Sequence, residues 1–183
     1  FESHVPSAVT MKGHLVGVGG SGMSALAQVL LGEGWELTGS DRAFDRLESR
    51  VLADRLRAAG VRLVPQDGSG PVGGTDLVIA TGAAETGNPD LERAKALGIR
   101  VQTRAQALIE RFNAKGGVAI AGTSGKTTVT TMLGLILQEE GRDPFVISGG
   151  FYSGFRGGST LGNVRTGKGP WIVEAEESDR TVA

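Results

Sequence analysis

The sequence predicts an α/β protein, in which a Rossmann-like parallel-sheet N-terminal domain is followed by the beginning of a P-loop-type α/β domain. Three observations carry this prediction. Short apolar runs alternate with helical patterns from His14 to Phe112, the pattern of a parallel sheet covered by helices. A glycine-rich turn, Gly17-x-Gly19-x-x-Gly22, follows the first run. A second turn, Gly122-Thr123-Ser124-Gly125-Lys126-Thr127-Thr128, follows a restart of the pattern after Gly116-Gly117.

The elements follow in order. Residues 14–18 read as a buried strand, and Met23, Leu26, Ala27, Leu30 and Leu31 have the spacing of a helix. Gly32 and Gly34 end that helix. A strand over 35–40 stops at Asp41. A charged helix is predicted over about 46–59, closed by Gly60. Residues 61–64 read as a third strand, 67–75 as a glycine-rich loop and 76–80 as a fourth strand. Asn88-Pro89 opens a helix reaching Leu97, Gly98 caps it, 99–102 is a fifth strand and 105–112 is helical. A domain boundary is placed between Phe112 and Gly117. Beyond it, 118–121 reads as a strand, 126–140 as a helix and 143–147 as a strand. Residues 149–169 read as mostly loop, and 171–174 as a strand running into acids.

Bulk properties narrow the function classes. The 183 residues suffice for one domain and part of a second. A net charge of −1 provides no basic field for nucleic acid or an anionic membrane. With 5% aromatic residues there is little for base stacking, so no nucleic-acid partner is expected. The absence of cysteine excludes disulfides, thiolate catalysis and Cys-based zinc sites, and fits a cytoplasmic location. No apolar run is long enough to cross a bilayer, so no membrane insertion is expected, and Phe1 to Thr10 does not resemble a signal peptide.

Both glycine turns have a phosphate chemistry. In the first, Gly17 and Gly19 permit a tight turn and a close backbone approach. The helix that follows offers free N–H groups and the positive end of its dipole to a pyrophosphate. Asp41 ends the next strand, where an acid binds a ribose hydroxyl. The bland alternative is close packing of strand and helix, and the obvious functional one is NAD. In the second turn, backbone N–H groups cradle phosphates, Lys126 neutralises the terminal phosphates, and a hydroxyl after the lysine holds Mg²⁺. This turn is shorter than the usual P-loop, with Ile120 where the first glycine normally stands. The run Glu174-Ala175-Glu176-Glu177-Ser178-Asp179 ends an apolar strand, where P-loop folds place a second Mg²⁺ ligand.

Together, three segments resemble the Mur ligase family. They are His14-Leu15-Val16-Gly17-Val18-Gly19-Gly20-Ser21-Gly22-Met23-Ser24, Ala121-Gly122-Thr123-Ser124-Gly125-Lys126-Thr127-Thr128 and Glu174-Ala175-Glu176-Glu177-Ser178-Asp179. Lesser matches at Gly39-Ser40-Asp41, Asn88-Pro89-Asp90-Leu91 and Arg104-Ala105 connect them. The resemblance implies a UDP-substrate domain over 1–112 and a partial ATP-binding domain over 117–183, in a fragment of a longer ligase. The activity implied is ATP-dependent joining of an amino acid, L-alanine, to UDP-N-acetylmuramate or a related UDP-sugar. It proceeds through an acyl phosphate, in peptidoglycan precursor synthesis. Gly122 to Thr128 would bind ATP. Lys126 and Glu177 would be catalytic, and Thr127 and Glu177 would hold Mg²⁺. Gly19, Gly20, Ser21, Gly22, Met23 and Ser24 would hold the UDP pyrophosphate, with Asp41 near the nucleoside. The chain departs from the family pattern at Ser124, where these ligases usually carry His, and at Arg180-Thr181-Val182. An NAD-binding oxidoreductase and a non-catalytic nucleotide-sugar sensor stand as alternatives.

Overall fold

The structure, a computed structural model, describes residues 10–81, 87–155 and 161–175. Its first sheet holds β1 (Lys12–Val16), β2 (Glu36–Ser40), β3 (Arg62–Leu63), β4 (Leu77–Ala80) and β5 (Arg100–Thr103). The order is β3-β2-β1-β4-β5, all parallel. The order reverses between β1 and β4, which makes a switch point at the carboxyl ends of those strands. Val16 is level with Ser40 on one side and Ala80 on the other, so Gly17, Asp41 and Thr81 emerge side by side.

Helix α1 (Ser21–Gly32) is apolar nearly all round, and residues Met23 to Ala27 with Val29 and Leu30 are buried. Its two sides serve two cores. Met23, Leu26 and Leu30 pack with Leu15, Leu37 and Ile79 of the first sheet. Ala25 and Val29 join Leu108 against Ile147, Val164, Trp171 and Val173 of a second sheet. A helix buried on both sides has no polar stripe to display.

Where the structure departs from the expected boundaries, local hydrogen bonds explain it. β1 ends at Val16 because the N–H groups of Gly17 and Val18 both donate to the Ser40 carbonyl (2.8 and 3.1 Å), turning the chain out of the strand. The helix expected over about 46–59 starts only at Arg50, as α3 (Arg50–Ala59), and a separate short helix, α2 (Arg42–Asp45), precedes it. Leu47 and Ser49 lie at φ +60° and +52°, in left-handed backbone that no helix continues through. β3 is shorter than expected because the Val61 N–H is used by the Leu56 carbonyl at the end of α3.

Helix α4 (Pro89–Ala96) starts on Asn88, whose side chain accepts from the N–H groups of Asp90 and Leu91. Helix α5 (Arg104–Lys115) starts on a capping box between Thr103 and Gln106 and runs past the expected end at Phe112. The second sheet has the order β6 (Gly117–Ile120), β9 (Trp171–Glu174), β7 (Phe145–Ile147), β8 (Val164–Arg165). Only β8 is antiparallel. Helix α6 (Lys126–Glu139) packs on it with Gly134 over Val146, where a Cβ would stand 2.8 Å from the valine. Among its described residues, the segment expected as loop contributes β8 and a 3₁₀ turn, Ser153–Phe155. A two-residue strand is too short to show alternation in a sequence.

A buried polar group lies under the first sheet. His14 Nδ1 pairs with Thr38 Oγ1 (2.7 Å) and Nε2 with Asp90 Oδ2 (3.2 Å). The Ser40 hydroxyl donates to the same carboxylate, and the Gly68 N–H donates to its other oxygen (2.8 Å). Gly70 lies flat on the imidazole, where a Cβ would come within 2.2 Å of Cε1. The glycine-rich loop before β4 is therefore pinned from below.

Candidate functional site

At the end of β1, Gly17 takes φ +80°, and the Gly20 N–H closes the turn onto the Gly17 carbonyl (3.2 Å). Among the described residues no side chain caps the start of α1 at Gly20, which leaves first-turn N–H groups able to take an anion. Met23 and Ser24 are buried. Of the residues assigned to the pyrophosphate, Gly19 to Gly22 therefore form the accessible part of the loop. The Ser24 hydroxyl instead donates to the Ser21 carbonyl (2.9 Å).

Asp41 is brought to this loop, but its carboxylate is already engaged. Oδ2 accepts from the Gly19 N–H (2.8 Å), and Oδ1 caps α2 through the Ala43 N–H (2.9 Å). A Cβ on Gly19 would lie 2.8 Å from Asp41 Oδ2 and 3.0 Å from Phe44 Cζ. Glycine is required here by the approach of Asp41 itself.

The second loop joins β6 to α6. Gly122 and Gly125 take φ +142° and +78°, conformations that L side chains rarely adopt. Residues Gly122 to Gly125 and Thr128 are exposed. The Lys126 ammonium folds back to donate to the Gly122 carbonyl (2.6 Å), closing the loop on itself. The Thr127 hydroxyl lies 2.9 and 3.0 Å from the two carboxylate oxygens of Glu174, at the end of β9. The Gly149 N–H donates to the same carboxylate (2.6 Å). Gly149 and Gly150 lie close against Glu174 and Thr127, and a Cβ on either would meet them at 2.8–3.0 Å.

Thr127 and Glu174 are a hydroxyl and a carboxylate at the mouth of a phosphate loop. Mg²⁺ takes oxygen ligands, commonly one or two from protein, with waters and substrate phosphates completing the octahedron. The donor set fits that ion. Among the described residues no group of three or more His, Asp or Glu gathers elsewhere to hold a metal. The family resemblance gave the metal role in the acidic run to Glu177, which lies outside the described residues. Strand register brings Glu174 to the same loop: it is level with Ile120, the last residue of β6, and so stands beside the loop that β6 feeds.

Comparison with known proteins places the chain in a family. The family description "Mur ligase family, catalytic domain" matches residues 12–115. UDP-N-acetylmuramate–L-alanine ligase of Jannaschia sp. is 38% identical over 169 residues, covering 92% of this chain and 34% of the relative. The protein of the same name from Persephonella marina is 42% identical over 167 residues, covering 91% of this chain and 34% of its own length. The crystal structure of UDP-N-acetylmuramate-alanine ligase from Thermotoga maritima superposes with a TM-score of 0.80 at 32% identity, covering 90% of this chain and 36% of that one. The chain thus spans about a third of the length of the relatives it matches. The family match spans more than half of the chain, and the chain belongs to the Mur ligase family.

Proposed function

We propose that this chain is the nucleotide-binding part of an ATP-dependent ligase that joins L-alanine to UDP-N-acetylmuramate in the cytoplasm. The observation that carries the reading is the Thr127–Glu174 pair beneath the Lys126 loop, beside a Rossmann-type sheet whose own glycine loop is uncapped. The relatives carry that activity in their names. Residues 1–112 form the UDP-substrate unit and 117–183 the first part of the ATP unit.

The reaction has two steps. A carboxylate oxygen of the sugar's lactyl group attacks the γ-phosphorus of ATP. The bond to the bridging oxygen breaks and ADP leaves, giving an acyl phosphate. The amine of the amino acid then attacks the acyl carbon. The carbon–oxygen bond breaks, phosphate leaves with the electron pair, and the amine proton is released. The N–H groups of Gly122 to Gly125 orient the ATP phosphates. Lys126 leaves the Gly122 carbonyl for the β- and γ-phosphates and offsets charge as the bridging bond breaks. Thr127 and Glu174 would hold Mg²⁺, with Glu177 of the same acidic run the other candidate ligand. Bound Mg²⁺ supplies Lewis-acid neutralisation of the phosphate oxygens. In the first loop the N–H groups of Ser21 and Gly22 take the UDP pyrophosphate, while the Gly20 N–H closes the turn onto Gly17 and Asp41 holds the loop in shape.

Calorimetry tests the reading of the first loop. UDP-N-acetylmuramate is expected to bind more tightly than NADH. Tighter binding of NADH would favour an oxidoreductase and overturn the ligase reading.

A further inference from the structure

Asn163 belongs to the β7–β8 hairpin of the second sheet, yet its side chain serves the first. It is fully buried. Its Nδ2 donates to the Ser21 carbonyl (2.8 Å) and to the Ser24 hydroxyl (3.0 Å). Its Oδ1 accepts from Gln28 Nε2 (2.7 Å). Gln28 Nε2 also donates to the Ser24 carbonyl (3.0 Å), and Gln28 Oε1 accepts from the Leu161 N–H (2.7 Å). Every polar atom of both amide side chains is matched. The matching fixes their orientation, because a flipped Asn163 would set oxygen against the Ser21 carbonyl. A fully satisfied buried network of this kind admits one arrangement.

The network touches both nucleotide sites. On one side it holds Ser21 and Ser24, in the first turn of α1, where the substrate pyrophosphate is read to bind. On the other, the Asn163 carbonyl accepts from the Ser148 N–H (2.9 Å). The next residue, Gly149, donates its N–H to Glu174, which holds Thr127. Hydrogen bonds, joined through the backbone of Asn163 and the Ser148–Gly149 peptide, therefore connect the first glycine loop to Glu174 and Thr127.

We propose that Asn163, clasped by Gln28, is a positioning residue that couples the two sites, so that nucleotide sugar and Mg·ATP each bind more tightly when the other is present. A ligand that orders the first turn of α1 also orders Asn163, Ser148, Gly149 and the Glu174 carboxylate, so the second ligand meets a smaller ordering cost. The proposal rests on the reading of the first loop as a UDP-sugar site.

The test uses the full-length protein. The affinity for Mg²⁺ with a non-hydrolysable ATP analogue is measured with and without saturating UDP-N-acetylmuramate, and then in the reverse order. In wild type each ligand is expected to tighten the other by the same factor, about fivefold or more. Asn163→Ala should abolish that factor while changing each ligand's affinity alone by less than about threefold. Gln28→Met keeps the shape and removes the hydrogen bonds, and should reduce the factor even if Asn163→Ala folds poorly. Val29→Ala thins the apolar contact between the same two sheets, and should lower the melting temperature but keep the factor. Coupling that survives both amide variants, or is lost equally in Val29→Ala, overturns the proposal. So does a wild type that binds both ligands independently, and that result leaves the ligase reading intact. A wild type that binds the ATP analogue but not the nucleotide sugar overturns the reading of the first loop, and this inference with it.

Discussion

The Glu174 carboxylate accepts hydrogen bonds from Thr127 and from the Gly149 N–H, so its charge is shared between the phosphate loop and the turn after β7. Glu174→Gln keeps the shape and removes the charge. It is expected to weaken Mg²⁺-dependent activity of the full-length enzyme by about tenfold or more, and by more than Glu177→Gln does; activity titrated against Mg²⁺ checks both. Lys126→Ala removes the only side-chain cation of its loop and should lower kcat/KM by about 10²–10³-fold. Ser124→His should stay active or improve, because backbone N–H groups and Lys126 hold the phosphates and one side-chain contact is worth about 1–3 kcal/mol. If wild type binds no ATP and Ser124→His restores binding, the sensor reading takes precedence. Asp90 gives a prediction about pH. Burial pushes its carboxyl up, but hydrogen bonds from His14 and Ser40, the charge on His14 and the Gly68 N–H outweigh it, so it lies below its ordinary 3.8. A depressed folded value contributes stability that is complete above 3.8 and is lost as pH falls through the lower value. Asp90→Asn should cost about 1–3 kcal/mol near neutrality. Urea unfolding from pH 6 downward should show its deficit shrinking toward acid, and a deficit that stays constant would refute the assignment.

Helix α6 carries the phosphate loop on its first turn and an apolar stripe on its outer face. Val129, Met132 and Ile136 recur at helical spacing and are 49%, 56% and 52% exposed. Val118, on β6, is 45% exposed, and among the described residues β6 pairs only with β9. An apolar helix face beside a half-paired edge strand favours association. The isolated 183-residue chain is expected to self-associate and to bind an apolar dye. Met132→Glu combined with Ile136→Lys should shift it toward monomer in light scattering. No change in mass or dye binding would show that this face is not the sticky one. The α2–α3 break illustrates the opposite case. Asp41 caps α2, and left-handed backbone at Leu47 and Ser49 then separates it from α3.

At the scale of the molecule, two phosphate loops are tied together by one apolar cluster and one amide network. The chain that carries both loops spans about a third of the length of the related ligases. Phosphoryl transfer needs preorganised surroundings that exclude water. The 183-residue chain alone is therefore expected to release no phosphate with UDP-N-acetylmuramate, ATP and L-alanine. Turnover within about tenfold of a full-length ligase would contradict this, since a loss that small is about 1.4 kcal/mol of barrier.

The sequence alone determined the alternation of strands and helices, both glycine loops, Lys126 and Thr127, and the acidic strand end, because each is written in contiguous residues. Apolar periodicity and glycine conformational freedom act over a few positions and are legible there. Only the tertiary structure decided which acid meets Thr127, because Glu174 is placed by the pairing of β9 with β6. It also decided that Asp41 binds the Gly19 amide, that β8 pairs antiparallel with β7, and that Asn163 reaches Ser21 and Ser24. Those contacts join residues far apart in the chain. Their geometry depends on strand register and on the two-sided burial of α1, which no local spacing encodes.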